Sequence, residues 1–262
     1  MAITTLNGII AAVKRRVVWQ KTASQTTVAF IPWSLFDVAG QPGAGTLAVG
    51  NTANGIVPTD AIAGYPLLAT AAATLYINRI GLARSSVACW LDVYDTLFSA
   101  GAYTYNADVT LASQPSYSGR VPNTDYNGLE LWLEAVTTFT GSQTIQINYL
   151  DQDGNAGDTG AIATAVAPAA RRMFFMPLAA GDSGIQQLVR VRSTISTVGT
   201  FNVHIMRWLC GVRINAAYLG VTESLLKTGL PQIYDTSALR IVVTADSTAS
   251  GLPAVRLETV DG

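Results

Sequence analysis

From Thr26 onward the apolar residues recur every second position, and that period restricts the chain to strands with one packed face and one wet face. Ser86 to Tyr94 puts Val87, Cys89, Leu91 and Val93 on one side. Leu129 to Phe139 does the same with Leu129, Leu131, Leu133 and Ala135, and turns Glu130, Trp132 and Glu134 the other way. Gln143 to Leu150 groups Ile145, Ile147 and Tyr149, and Gln186 to Ser193 alternates Val189 and Val191 with Arg190 and Arg192. Phe201, Val203 and Ile205 line a further strand. Such alternation is the mark of antiparallel sheets.

Turn clusters separate these runs: Gln41 to Gly45, Gln114-Pro115-Ser116, Asp151 to Asn155 and Gly181 to Gly184. Many short strands joined by Gly/Pro-rich turns predict an all-β antiparallel sandwich of jelly-roll type. Helical spacing appears in Leu6, Ile9, Ile10, Val13 and Val17, with Thr4 or Thr5 as cap and Lys14-Arg15-Arg16 at the C-terminal end. The expected organisation is an N-terminal arm or helix over 1–25, one β-sandwich domain over 26–215 and a C-terminal extension over 216–262. The arm is expected to lie on another subunit, since a helix this short is marginal without a packing partner.

Charge narrows the function classes. Only 33 of 262 residues are charged, 13% against about 25% in an ordinary domain. The net charge of −1 gives no footprint for nucleic acid or an anionic membrane. Surfaces that meet other protein copies need fewer charges than surfaces that stay solvated alone. One histidine and two cysteines leave little material for a metal cluster or a disulfide framework. No signal peptide or membrane span is read, so assembly in a reducing cytoplasm is expected, with Cys89 and Cys210 as buried free thiols.

Each candidate for chemistry has a plainer reading. His204 is the only possible base for a Ser–His–Asp or Cys–His pair, but it sits mid-strand and no Gly-x-Ser-x-Gly elbow is present. Glu130 and Glu134, four residues apart on a strand, lie about 13 Å apart, beyond the roughly 5–10 Å of glycosidase pairs. They read as solvated charges flanking Trp132. An outward tryptophan either stacks on a sugar or is covered by protein, and the covered interface is the preferred reading. Asp151-Gln152-Asp153-Gly154-Asn155 opens like a calcium loop but has Ala156 and Ile162 where an EF-hand needs Gly and Glu, so it reads as a hairpin loop. Lys14, Arg15 and Arg16 are too few for nucleic acid and are assigned, with Trp132, to a subunit interface. No catalytic, cofactor or metal residue is expected.

The block Ile145 to Gly154, then Ala156-Gly157, then Arg172 to Gly184, with the strands Ile185 to Ser193 and Thr200 to Cys210, resembles accessory structural proteins of tailed-bacteriophage virions. The resemblance spans residues 129–210. It implies a non-enzymatic capsid decoration or cement protein in the virion, a homo-oligomer (a trimer among the states allowed) whose partners are its own copies and the major capsid protein. A neck or tail component is the runner-up. The rival from another class is a carbohydrate-binding module using Trp132, Tyr103 and Tyr105.

Overall fold

The computed structural model describes residues 5–68, 74–83, 86–164, 169–193, 198–251 and 253–262. In chain order the elements begin with α1 (Leu6–Ala11), β1 (Lys14–Lys21), β2 (Gln25–Thr26), β3 (Trp33–Ser34), β4 (Gly40–Gln41), β5 (Asn51–Ile56) and β6 (Thr74–Ala83). Next come β7 (Cys89–Thr104), β8 (Asp108–Thr110), β9 (Leu129–Thr137), β10 (Thr144–Asp151), β11 (Ala156–Asp158), β12 (Ile162–Ala163) and β13 (Met173–Met176). The remaining elements are β14 (Ile185–Ser193), β15 (Thr200–Ile214), β16 (Val221–Ser224), α2 (Leu225–Thr228), β17 (Gln232–Tyr234), β18 (Leu239–Ala245), β19 (Ser250–Gly251) and β20 (Ala254–Asp261). The all-β sandwich expected from the two-residue period is what the chain forms.

The chain divides into two compact units. Unit 1 holds Met1–Gly45, Thr59–Asp95 and Leu209–Gly262. Its sandwich strands, in chain order, are β1, β3, β6, the start of β7, the end of β15, β16, β18 and β20. They pair as nested shells. The first pairs with the last (Lys14 opposite Val260), the second with the seventh (Trp33 opposite Val243), and the third with the sixth (Arg79 opposite Ser224). The fourth, β7, neighbours the fifth, β15. Strand β20 also pairs with β6, and β18 with β7, closing two sheets in the orders β16-β6-β20-β1 and β15-β7-β18-β3. Nested pairing of eight strands into two sheets is a jelly roll. Its core is packed from both sheets by Trp19, Trp33, Ile80, Leu82, Leu91, Val212, Ile241 and Leu257.

Unit 2 holds Thr46–Pro58 and Thr96–Trp208 and repeats the scheme. Its strands are the end of β7, β8, β9, β10, β11, β13, β14 and the start of β15. Again β8 pairs with β14, β9 with β13 and β10 with β11, while β7 neighbours β15. Strand β15 also pairs with β9, and β14 with β10. The resulting orders are β13-β9-β15-β7 and β11-β10-β14-β8, a second jelly roll around Phe98, Leu131, Ile147, Tyr149, Val191 and Phe201. In the chain, residues 96–208 of unit 2 therefore lie between the fourth and fifth strands of unit 1, both of which run on into it, while residues 46–58 come earlier, between β4 and β6.

Three expectations about organisation give way. The single β-domain over 26–215 is two jelly rolls. The extension over 216–262 supplies β16, β18 and β20, all integral to unit 1. Among the described residues of the arm over 1–25, helix runs only from Leu6 to Ala11, where Thr5 accepts the Gly8 backbone N–H at 3.1 Å. From Lys14 the chain is a strand between β20 and β4. Val17 belongs to the helical stripe by spacing but also lies two residues from Trp19, and strand pairing lets both enter the core, with Trp19 1% exposed. Burying such side chains stabilises by roughly 1.5–3 kcal/mol each, which outweighs a weak local preference for helix.

Candidate functional site

Within unit 2, the face of β9 that carries Glu130, Trp132 and Glu134 is covered. Glu134 is fully buried and Trp132 is 7% exposed. The Trp132 indole N–H donates to Glu130 at 2.7 Å, and its ring meets Phe175 edge-on with centroids 5.6 Å apart. The solvated-charge reading of Glu134 and the outward reading of Trp132 are both corrected. The segment before β5 accounts for part of the cover: Asn202, opposite Glu134 across the β9–β15 pair, donates its side-chain amide to the Leu47 carbonyl and accepts from the Val49 N–H. The aromatic exposed at this place is Phe175 of β13, at 51%. Strand β13 pairs only with β9 among the described residues, and its four residues are Met173, Phe174, Phe175 and Met176. It is a short, uncharged edge.

The same buried face assembles a polar array. Ser99 Oγ lies 2.8 Å from His204 Nδ1, and Glu134 Oε2 lies 3.2 Å from Nε2. A carboxylate only accepts, so Nε2 carries the proton that faces it, and Nδ1 is the position left for the Ser99 hydroxyl. The three side chains are at most 2% exposed. The order serine, histidine, carboxylate is that of a nucleophilic triad, but here it is sealed, and it ties β7, β15 and β9 together as a hydrogen-bonded crosslink inside the unit. Sequence spacing carried no sign of Ser99, which lies 105 residues from its histidine.

Two of the three basic residues assigned to an interface, Lys14 and Arg15, are engaged within the chain. Lys14 Nζ donates to the carbonyls of Ile9, Ile10 and Ala12, closing the C-terminal end of α1. Arg15 holds the Asp261 carboxylate with two bonds of 3.1 Å across the β1–β20 pair. Arg16 stands exposed opposite Glu258. The open surface beside them is apolar instead: Leu6 is 61% exposed, Ile10 64% and Val13 58%, while Ile9 alone turns inward.

Other sequence candidates resolve simply. Tyr103 and Tyr105 are buried, and the Tyr103 hydroxyl donates to the Thr52 carbonyl, so neither offers a ring to a sugar. Asp151 closes the β10–β11 hairpin. Its partial burial raises its pKa, but bonds from Asn155, Asp153 and Gly154 outweigh that and hold the carboxyl below its usual range. Cys89 and Cys210 are free, buried thiols, and burial, reinforced by Asp92, pushes the pKa of Cys210 up to about 12. Among the described residues no group of His, Cys, Asp and Glu side chains is placed to hold a metal ion. No helix among them is long and apolar enough to cross a membrane.

No family model matches the sequence, and no curated protein matches it. Among solved structures the chain is similar to PirA at 11% identity and a TM-score of 0.19, over 52% of this chain and 95% of that one. It is similar to infectious bursal disease virus Gt strain at 10% identity and a TM-score of 0.19, over 95% of this chain and 80% of that one. A family 30 carbohydrate-binding module shows 11% identity and a TM-score of 0.18, over 80% of this chain and 99% of that one. At such scores these likenesses carry no argument. The jelly rolls rest on the strand pairing alone.

Proposed function

We propose that this chain is a non-enzymatic structural protein of a virus particle, an accessory component that decorates or cements the capsid of a tailed bacteriophage. Its partners in this reading are its own copies and the major capsid protein, and its mechanism is burial of apolar surface between subunits. The observation that supports it most is the pairing of sparse charge with large apolar side chains held open: Leu6 and Ile10 on α1, Val13 just after it, and Phe175 on the edge of β13. Apolar patches left exposed on a folded surface mark contact sites, and bulky side chains at interface centres carry most of the binding energy. Two jelly rolls suit the role, because rigid sheets hold such contacts in fixed positions, although the same fold serves sugar binding and enzymes too.

The test is assembly. Light scattering behind size-exclusion chromatography is expected to show a homo-oligomer, and the protein is expected to sediment with capsid shells of the virus that carries it. Combined Leu6→Ser and Ile10→Ser substitutions should lower both without unfolding the chain. A protein that stays monomeric and leaves the shells in the supernatant would remove the proposal.

A further inference from the structure

Unit 2 carries a second feature, unrelated to the apolar contacts. A pocket of about 220 Å³ opens between the 114–118 loop, Tyr126 and the start of β14. Strand β14 is irregular where it meets β10: Leu150 pairs with Gln187 and Asp151 with Ile185, so Gln186 is an extra residue. Successive strand residues normally point to opposite faces, and a bulge removes that rule locally and re-aims a side chain. Gln186 and Gln187 accordingly both line the pocket.

The wall opposite is clamped in place. The Tyr117 hydroxyl donates to the bulge carbonyls, at 2.6 Å from Gln186 and 3.1 Å from Ile185. The Gln114 amide N–H donates to the Leu188 carbonyl. Gly184 meets the Tyr126 backbone where any Cβ would collide with the Tyr126 carbonyl, so the Tyr126 loop can sit against β14 only because that residue is glycine. Asn127 pairs with Gly184, and the Tyr126 ring stands edge-on to Tyr117 with centroids 6.1 Å apart.

What remains open is a specific chemistry. The Gln114 carbonyl oxygen, both ends of the Gln187 amide and the Tyr126 hydroxyl make no hydrogen bond with other described residues. Ser116 and Ser118 add hydroxyls that bond to each other at 2.9 Å. No residue lining the pocket carries a charge. Neutral donors and acceptors in alternation, beside a half-buried aromatic ring, match vicinal hydroxyls on a ring with an apolar C–H face. They offer no opposite charge to a phosphate, a carboxylate or an ammonium group, so none of these gains a charge-paired hydrogen bond here. The volume is below the roughly 300–1,000 Å³ of drug-sized sites, which limits the occupant to one ring.

We infer that this pocket is a subsite for a single neutral hexose, either the end of a surface glycan or a free sugar. Affinity for one such ring is on the order of millimolar. The inference is independent of assembly, since the pocket lies within one unit of one chain.

The experiment has two arms on the full chain. A glycan array carrying neutral and sialylated ends tests surface glycans, and saturation-transfer NMR with glucose, galactose and N-acetylglucosamine tests free sugars. Binding of neutral hexoses in either arm is expected, weakened at least about tenfold by Gln187→Ala and by Tyr126→Ala, with thermal unfolding confirming that each variant is folded. Should Tyr126→Ala fail to fold, Gln187→Ala alone decides, because its side chain is half-exposed and supports no other residue. Silence in both arms, preference for sialylated ends, or binding unchanged by Gln187→Ala would overturn the inference.

Discussion

Replacing His204 by leucine is the sharpest probe of the buried crosslink in unit 2. The substitution keeps the space filled but takes from Glu134 a partner at 3.2 Å and from Ser99 one at 2.8 Å, all in a region at most 2% exposed. Leaving a buried carboxylate without this donor costs about 3 kcal/mol, because it keeps its desolvation penalty and loses a hydrogen bond that offset it. Set against the 5–15 kcal/mol that holds a typical fold, that is a large fraction. Adding Glu134→Gln to His204→Leu removes the charge that made the first change expensive, so the double variant should recover about 2 kcal/mol relative to the sum of the singles. Native-state hydrogen exchange at Leu131 to Ala135 and Val203 to Ile205 reads unit 2 directly, without assuming that the two units unfold together. If His204→Leu costs under about 1 kcal/mol, or the two costs simply add, the array is not a coupled crosslink.

Phe175→Ala should leave the unfolding midpoint within about 0.5 kcal/mol, as a half-exposed edge residue, while weakening oligomerisation measured by analytical ultracentrifugation. Trp132→Ala is expected to do the reverse and cost about 3–5 kcal/mol in urea unfolding, because it empties a packed site. Thiol titration should find Cys89 and Cys210 unreactive in the folded chain and both free once denaturant is added; a missing thiol would mean a disulfide. Lys21 is 4% exposed, and burial pulls its pKa down to about 8 against the opposing effect of Asp37. Between about pH 8 and its unfolded value near 10.4, the unfolded chain holds that proton and the folded chain does not, so its contribution to stability rises by up to about 1.4 kcal/mol per pH unit. The buried Cys210 thiol acts the opposite way above about pH 8.5, so the quantity to measure is the difference between wild type and Lys21→Met, which should grow in favour of wild type as pH rises.

The strands of unit 2 could be read from residue order because each carries its own alternation: β9, β10 and β14 fall within a residue or two of the runs seen in the sequence. Pairing could not. Lys14 finds Val260 and Ser34 finds Val242, and nothing local to either member of such a pair names the other. This is why β1 looked like a helix and why the residues after 215 looked like an appendage. The buried face of β9 was misread for a related reason. Alternation reports which residues share a face, but not that chain from residues 47–49 closes over it, so Glu134 and Trp132 passed for surface residues. The pocket glutamines were hidden by the bulge, which breaks the alternation on which the reading of β14 depended.

The nested pairing of unit 1 also fixes an order of events during synthesis. Strand β20 lies between β1 and β6, yet it leaves the ribosome after every strand it joins. Residues 96–208 of unit 2 are by then complete and can close among themselves, whereas β1 and β6 wait with unsatisfied backbone along the edges that β20 will occupy. Pairing across such a sequence distance is slow, and the waiting edges are where nascent chains would stick to one another. A premature stop at residue 253 would accordingly leave unit 2 able to fold and strand the other jelly roll with a gap through the middle of one sheet.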